Sequence, residues 1–150
     1  MNQKKTLIPI LASHTASVVL IFIFTYTAFS KLLNHHLFLA QLQHFPWLGN
    51  VSGIISWVIP AAELAVVMLL LFPATRFSGL CASLLILLVF TSYLIVMIST
   101  QENLPCSCGG IIELLNWKQH ILLNIFLMML SAMAISIEKF RIEISSDPLI

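Results

Sequence analysis

The sequence predicts an all-α integral membrane protein: a four-helix bundle with a short interfacial helix after the first span and a Cys-x-Cys outer loop. Three observations predict it. Of 150 residues, 59% are hydrophobic and only 9% are charged, where a soluble domain carries about 25% charged residues. The mean hydropathy is +1.01. Four stretches are each long and apolar enough to cross a bilayer, which takes about 20 residues. Such a chain cannot wrap a water-facing surface around a core, which excludes a soluble enzyme, a nucleic-acid binder and a disordered chain. The net charge of +1 provides no field for a polyanion. Three cysteines are too few for a disulfide-built miniprotein.

We read one transmembrane domain over 1–150, with spans near 9–33, 51–72, 77–98 and 117–137. Thr6 to Ser30 contains no Asp, Glu, Lys or Arg. Lys4-Lys5, this apolar run and Ala28-Phe29-Ser30 imitate a signal peptide. The run is longer than a typical h-region, so the first span is expected to be retained. The outer segment 34–50 mixes Leu37, Phe38, Leu42, Phe45 and Trp47 with His and Gln. It reads as a short amphipathic helix in the outer interface, ended by Pro46 and Gly49. The second span is interrupted only by Glu63, while Phe77–Gln101 and Gln119–Ile137 are uncharged. The tail from 138 is short and polar.

Basic residues set the expected orientation. Lys4, Lys5, Arg76, Lys139 and Arg141 fall on one side; the other side has Lys31 and Lys118, both at span ends. The positive-inside rule puts both termini in the cytoplasm. The segments 34–50 and 99–116 then face outward, into the periplasm of a bacterium whose inner membrane holds the chain.

The strongest chemical signal lies in 99–116: Pro105-Cys106-Ser107-Cys108-Gly109-Gly110. Pro105 stiffens the approach, and the two glycines permit unusual backbone angles after the pair. In an oxidising compartment this dithiol tends toward a disulfide. One intervening residue closes a very small ring, whose geometry stores strain. Strained, exposed disulfides are oxidising and exchange readily, while so small a ring stabilises almost nothing. Exchange therefore explains the pair better than stapling. Two other readings stay open: small apolar residues with no chemistry, or metal ligands together with His120. Cys81 sits near the other end of its span, roughly 25 Å away along the helix, and is expected to be a buried packing residue.

Several polar residues fall inside the bilayer. Glu63 is about 18 Å deep in the second span, where a charge costs at least ~2.5 kcal/mol. Pro60, one turn earlier, leaves the Ser56 carbonyl without its helical partner. Trp117, His120 and Asn124 share one face of the last span, continued by Ser131, and that face should point into the bundle. His120, one turn below the outer surface, could tune a thiol or make an interhelical hydrogen bond. Lys31 could snorkel, pair with Glu63 or support a thiolate. We assign no chemistry to His14 or Arg76. His35, His36 and His44 fit an interfacial helix more simply than a metal site, and no metal site is assigned.

Ala28-Phe29-Ser30-Lys31-Leu32, Phe38, Phe45-Pro46, Pro60-Ala61-Ala62-Glu63-Leu64 and Cys106-Ser107-Cys108-Gly109-Gly110 together resemble the MauE family, related to DoxX, over about 15–137. Lys31, Pro60, Glu63, Cys106, Cys108 and Gly110 match its motif positions; Gly109 stands where the family often has Phe. Trp117, His120 and Asn124 resemble a subgroup. The resemblance implies a four-span protein of periplasmic disulfide formation that works alongside a thioredoxin-like partner. The namesake serves maturation of methylamine dehydrogenase, whose small subunit is rich in disulfides; no residue here points to that client. The architecture also resembles the vitamin K epoxide reductase-like proteins, which pass electrons from thiols to quinone.

The expected activity is thus thiol–disulfide exchange at Cys106 and Cys108, with electrons passing to a membrane quinone near His120 and Glu63. The alternatives are a non-enzymatic assembly or anchoring factor, a metal-handling protein using Cys106, Cys108 and His120, and a small transporter in which Glu63 carries protons.

Overall fold

A computed structural model describes residues 3–43, 49–100 and 117–146. They form five helices: α1 Gln3–Leu33, α2 His35–Gln43, α3 Ser52–Leu71, α4 Arg76–Thr100 and α5 Trp117–Ser146. Four are long and apolar enough to span a membrane: Leu11–Leu33, Ser52–Leu71, Arg76–Ser99 and Gln119–Ile142. The all-helical, four-span architecture read from the sequence is what folds.

The spanning helices pack as a ring. α1 lies against α3 and α5, α4 lies against α3 and α5, and α1 and α4 scarcely meet across the middle. Leu20 and Phe24 of α1, Val66 and Leu70 of α3, Leu80 and Leu87 of α4, and Leu127 and Ala134 of α5 fill the core. The distribution of polarity is the reverse of a soluble bundle. Phe22, Phe29, Trp57, Leu85, Val89, Phe126 and Met129 face outward, while Ser13, Ser56, Glu63, Ser83, His120, Asn124 and Ser131 are buried. Apolar surroundings require this, because polar groups facing hydrocarbon would go unsatisfied. Small residues let the helices approach closely: Ser83 Oγ and Ser131 Oγ lie 3.3 Å apart between α4 and α5.

The expectation that Cys81 is buried is wrong. Its side chain is exposed on the outside of α4. Leu80, Ser83, Leu87, Thr91 and Leu94 carry the inward face of that helix, and residue 81 lies about 100° round from residue 80. A thiol is apolar enough to sit against lipid.

α3 and α4 join by a tight turn. The Thr75 hydroxyl donates to the Leu69 carbonyl at 2.8 Å and satisfies part of the end of α3. Gly79 follows, and a Cβ there would lie 3.0 Å from the Leu70 backbone nitrogen and 3.1 Å from the Leu69 carbonyl carbon. Backbone cannot swing aside as a side chain can. Gly79→Ala should force the helices apart and destabilise the fold by about 1–3 kcal/mol, read as a lower midpoint in detergent denaturation.

A second polar cluster pins this end of the bundle. Glu138 of α5 accepts from Ser13 Oγ at 3.0 Å and lies 3.7 Å from Arg76 Nη1 and 3.6 Å from Arg141 Nη1. Arg76 Nη1 also lies 3.2 Å from His14 Nε2. The sequence reading gave His14 and Arg76 no role and treated Glu138 as part of a polar tail. The signal was present: Asn124, Ser131 and Glu138 recur at intervals of seven, so one buried face of α5 runs past the expected end of the span.

Candidate functional site

The opposite end of the bundle holds the intramembrane charges. Lys31 lies in the last turn of α1, and Glu63 lies one turn beyond Pro60 in α3, which stays helical through the proline. Lys31 Nζ meets Glu63 Oε1 at 2.6 Å, with 13% and 5% of the two side chains exposed. Of the alternatives open for Lys31, pairing is the one the structure contains. The ammonium group also lies 5.4 Å from the centroid of the Phe90 ring and 6.0 Å from that of Phe38, which adds cation–π attraction. Two opposite charges with aromatic rings beside them can persist where either alone could not.

The pair borders a cavity of about 970 Å³, counted out to its open mouth. Phe24 and Thr27 come from α1, Phe38 and Gln41 from α2, Phe90, Tyr93 and Met97 from α4, and His120 and Asn124 from α5. The Phe90 ring lies between its neighbours, 6.1 Å from Tyr93 and 6.0 Å from His120. His120 and Asn124 are buried on the inward face of α5, as their spacing predicted. Trp117 opens that helix, and its side chain lies outside the described set.

α2 forms one wall of this space. The expected short helix after the first span is present, its expected end at Pro46 lies outside the described residues, and Leu37, Phe38 and Gln41 line the cavity. His35 fastens its start: Nε2 lies 3.0 Å from Ser56 Oγ, and the ring lies 4.4 Å from that of Trp57. The Ser56 hydroxyl donates to the Gly53 carbonyl at 2.8 Å. Its oxygen is therefore left to accept from the imidazole.

Four polar atoms lining this one cavity are buried without a partner: Ser30 Oγ, Gln41 Nε2, Glu63 Oε2 and Asn124 Nδ2. They comprise two amide donors, a carboxylate acceptor and a hydroxyl. Buried polar groups are normally satisfied, so four around one space mark it as a place where something polar sits. Sequence reading missed Ser30 and Gln41, because only the assembled bundle brings α2 over the end of α1.

Cys106 and Cys108 lie outside the described residues. Their segment, 101–116, joins the end of α4 to the start of α5. Both anchoring helices contribute to the cavity near those ends, through Met97 and through His120. Among the described residues no group of three His, Cys, Asp or Glu side chains is placed to hold a metal ion.

Four apolar helices around a buried lysine–glutamate pair, with polar groups turned inward, define a multi-pass membrane protein. The chain belongs to the MauE family, described as methylamine utilisation protein MauE, whose model matches residues 9–137. No curated protein and no solved structure matches the chain.

Proposed function

We propose that the chain is a thiol–disulfide redox protein of the bacterial inner membrane, with both termini in the cytoplasm and the Cys106–Cys108 segment in the periplasm. The observation that carries this reading is the Cys-x-Cys sequence placed between two helices that both end at a polar, partly unsatisfied cavity. Basic residues outside the opposite end support the orientation.

The exchange balances simply. A thiolate of a periplasmic thioredoxin-like partner attacks the Cys106–Cys108 disulfide, and a mixed disulfide forms. The partner's second thiolate then attacks that bond. The partner leaves oxidised, and Cys106 and Cys108 hold the two electrons and two protons. A membrane quinone supplies a two-electron, two-proton acceptor that can restore the disulfide. The residues present fit such a group: amide donors and Lys31 suit carbonyl oxygens, Glu63 Oε2 suits a hydroxyl, and Phe90, Phe38 and Tyr93 suit a flat ring. Lys31 and Glu63 hold charge at the cavity wall, and His120, which lines the cavity near the start of α5, is a group able to move a proton.

The test is a trapping experiment. With one of Cys106 and Cys108 replaced by serine, the thiolate of the other should attack the disulfide of an oxidised thioredoxin-like protein, giving a mixed disulfide and one free partner thiol, and dithiothreitol should release the captured protein. Failure of both single variants to capture any such protein would point to an assembly or anchoring role, in which the cysteines are incidental.

A further inference from the structure

We propose that the cavity bordered by all five helices is a head-group site for a neutral, flat, lipid-borne ring carrying carbonyl or hydroxyl oxygens. In this site the Asn124 and Gln41 amides donate to the ring oxygens and Glu63 Oε2 accepts from a hydroxyl. The proposal deepens the redox reading by assigning each ring contact to a named side chain and by fixing the ligand's charge state, and it rests on that reading for the ligand's role.

The charge state follows from the wall. Lys31 and Glu63 face the same space as a closed pair at 2.6 Å. An anion would meet Glu63 and a cation would meet Lys31, each with a like charge close by in a low-dielectric site. A neutral group meets neither penalty.

Polarity follows from the unpartnered atoms. Asn124 and Glu63 are each 4% exposed and Ser30 is 7% exposed, so water outside the bundle does not serve them. The unsatisfied set offers donors from two amides and an acceptor from the carboxylate. A ligand with only acceptors leaves Glu63 Oε2 alone; one with only donors leaves the amides alone. Oxygens that interconvert between carbonyl and hydroxyl satisfy both in turn.

Shape follows from the rest. Phe24, Phe38, Phe90 and Tyr93 surround the polar atoms with aromatic surface, which favours a planar ring. α2 supplies both an aromatic side chain and one of the two amides, so this short helix belongs to the recognition surface rather than merely joining two spans.

The test uses the full chain in lipid nanodiscs and reads binding, not turnover. The probe is a benzoquinone carrying a decyl tail; the control is decylbenzene, with the same tail and no ring oxygens. Bound ligand is measured by equilibrium dialysis and by the shift in thermal unfolding. Wild-type protein should bind one quinone and reject decylbenzene. Gln41→Leu and Asn124→Leu should each weaken quinone binding about tenfold, the usual size of one lost hydrogen bond that strands a buried group. Gln41 lies on the short α2 outside the spanning helices, so that variant serves even where a change at Asn124 prevents folding. Equal binding of decylbenzene, wild-type affinity in Gln41→Leu, or no quinone binding by folded protein would each overturn the proposal. Cys106→Ser/Cys108→Ser should still bind the quinone. Binding in a protein whose cysteines prove irrelevant to partner oxidation would leave this site standing and remove the exchange reading alone.

Discussion

Cells carrying Cys106→Ser/Cys108→Ser in place of the wild-type chain should accumulate the thioredoxin-like partner in its reduced form, with essentially complete loss of the oxidised species that depends on this protein. The size of the effect follows from the chemistry, because a hydroxyl cannot take the place of sulfur in exchange. The fold should be untouched. A ring closed over one intervening residue constrains so little of the unfolded chain that its loss costs almost no stability. The expected pattern is therefore full-length protein at normal abundance with no effect on partner thiols. Partner oxidation that continues at the wild-type rate would assign the cysteines no role. Gel-shift alkylation of the partner, with an immunoblot for the membrane protein, reads both halves.

Lys31→Met should be the most damaging single substitution in the bundle. It leaves Glu63 about twelve residues into α3 with no counter-charge, and breaking one side of a buried pair costs about 3–5 kcal/mol. Glu63→Met mirrors it, stranding the ammonium between Phe38 and Phe90. The double variant Lys31→Met/Glu63→Met should recover most of that loss, because replacing a whole buried pair with apolar side chains is close to neutral. Recovery of stability without recovery of activity is the diagnostic result. It separates a pair kept for what it does in the cavity from a pair kept to hold α1 against α3. Denaturation midpoints in mixed micelles give the stabilities, and the partner's thiol state gives the activity. A double variant with restored partner oxidation would make the pair purely structural.

Membrane sequences make some of this architecture easy to read and hide the rest. The four spans were visible because lipid demands long apolar runs, and each run ends within a few residues of a charge, a proline or a glycine. The pairing of Lys31 with Glu63 was visible as one of several options, since a buried carboxylate needs a partner and few cations were available. Hydropathy alone could not choose it, because depth depends on how far α1 ends below the start of α3. The inward face of α5 was legible from His120, Asn124 and Ser131, and the same spacing should have been followed to Glu138. Cys81 was misread because small size suggests burial in a soluble protein, whereas lipid accepts a thiol as readily as a core does. Ser30 and Gln41 carry no signal on their own. They matter only because α2 folds back over the end of α1 and closes a space that no single segment contains.

The proposed exchange depends on two sulfurs, and the decisive experiment labels them in place. Freshly isolated membranes are alkylated before and after reduction, with reagents that do and do not cross the bilayer, and Cys106 and Cys108 are identified by mass spectrometry. The expected result is a substantial disulfide-bonded fraction that, once reduced, reacts with the impermeant reagent from the periplasmic side. Two thiols that are always reduced and can be reached only from the cytoplasm would contradict it.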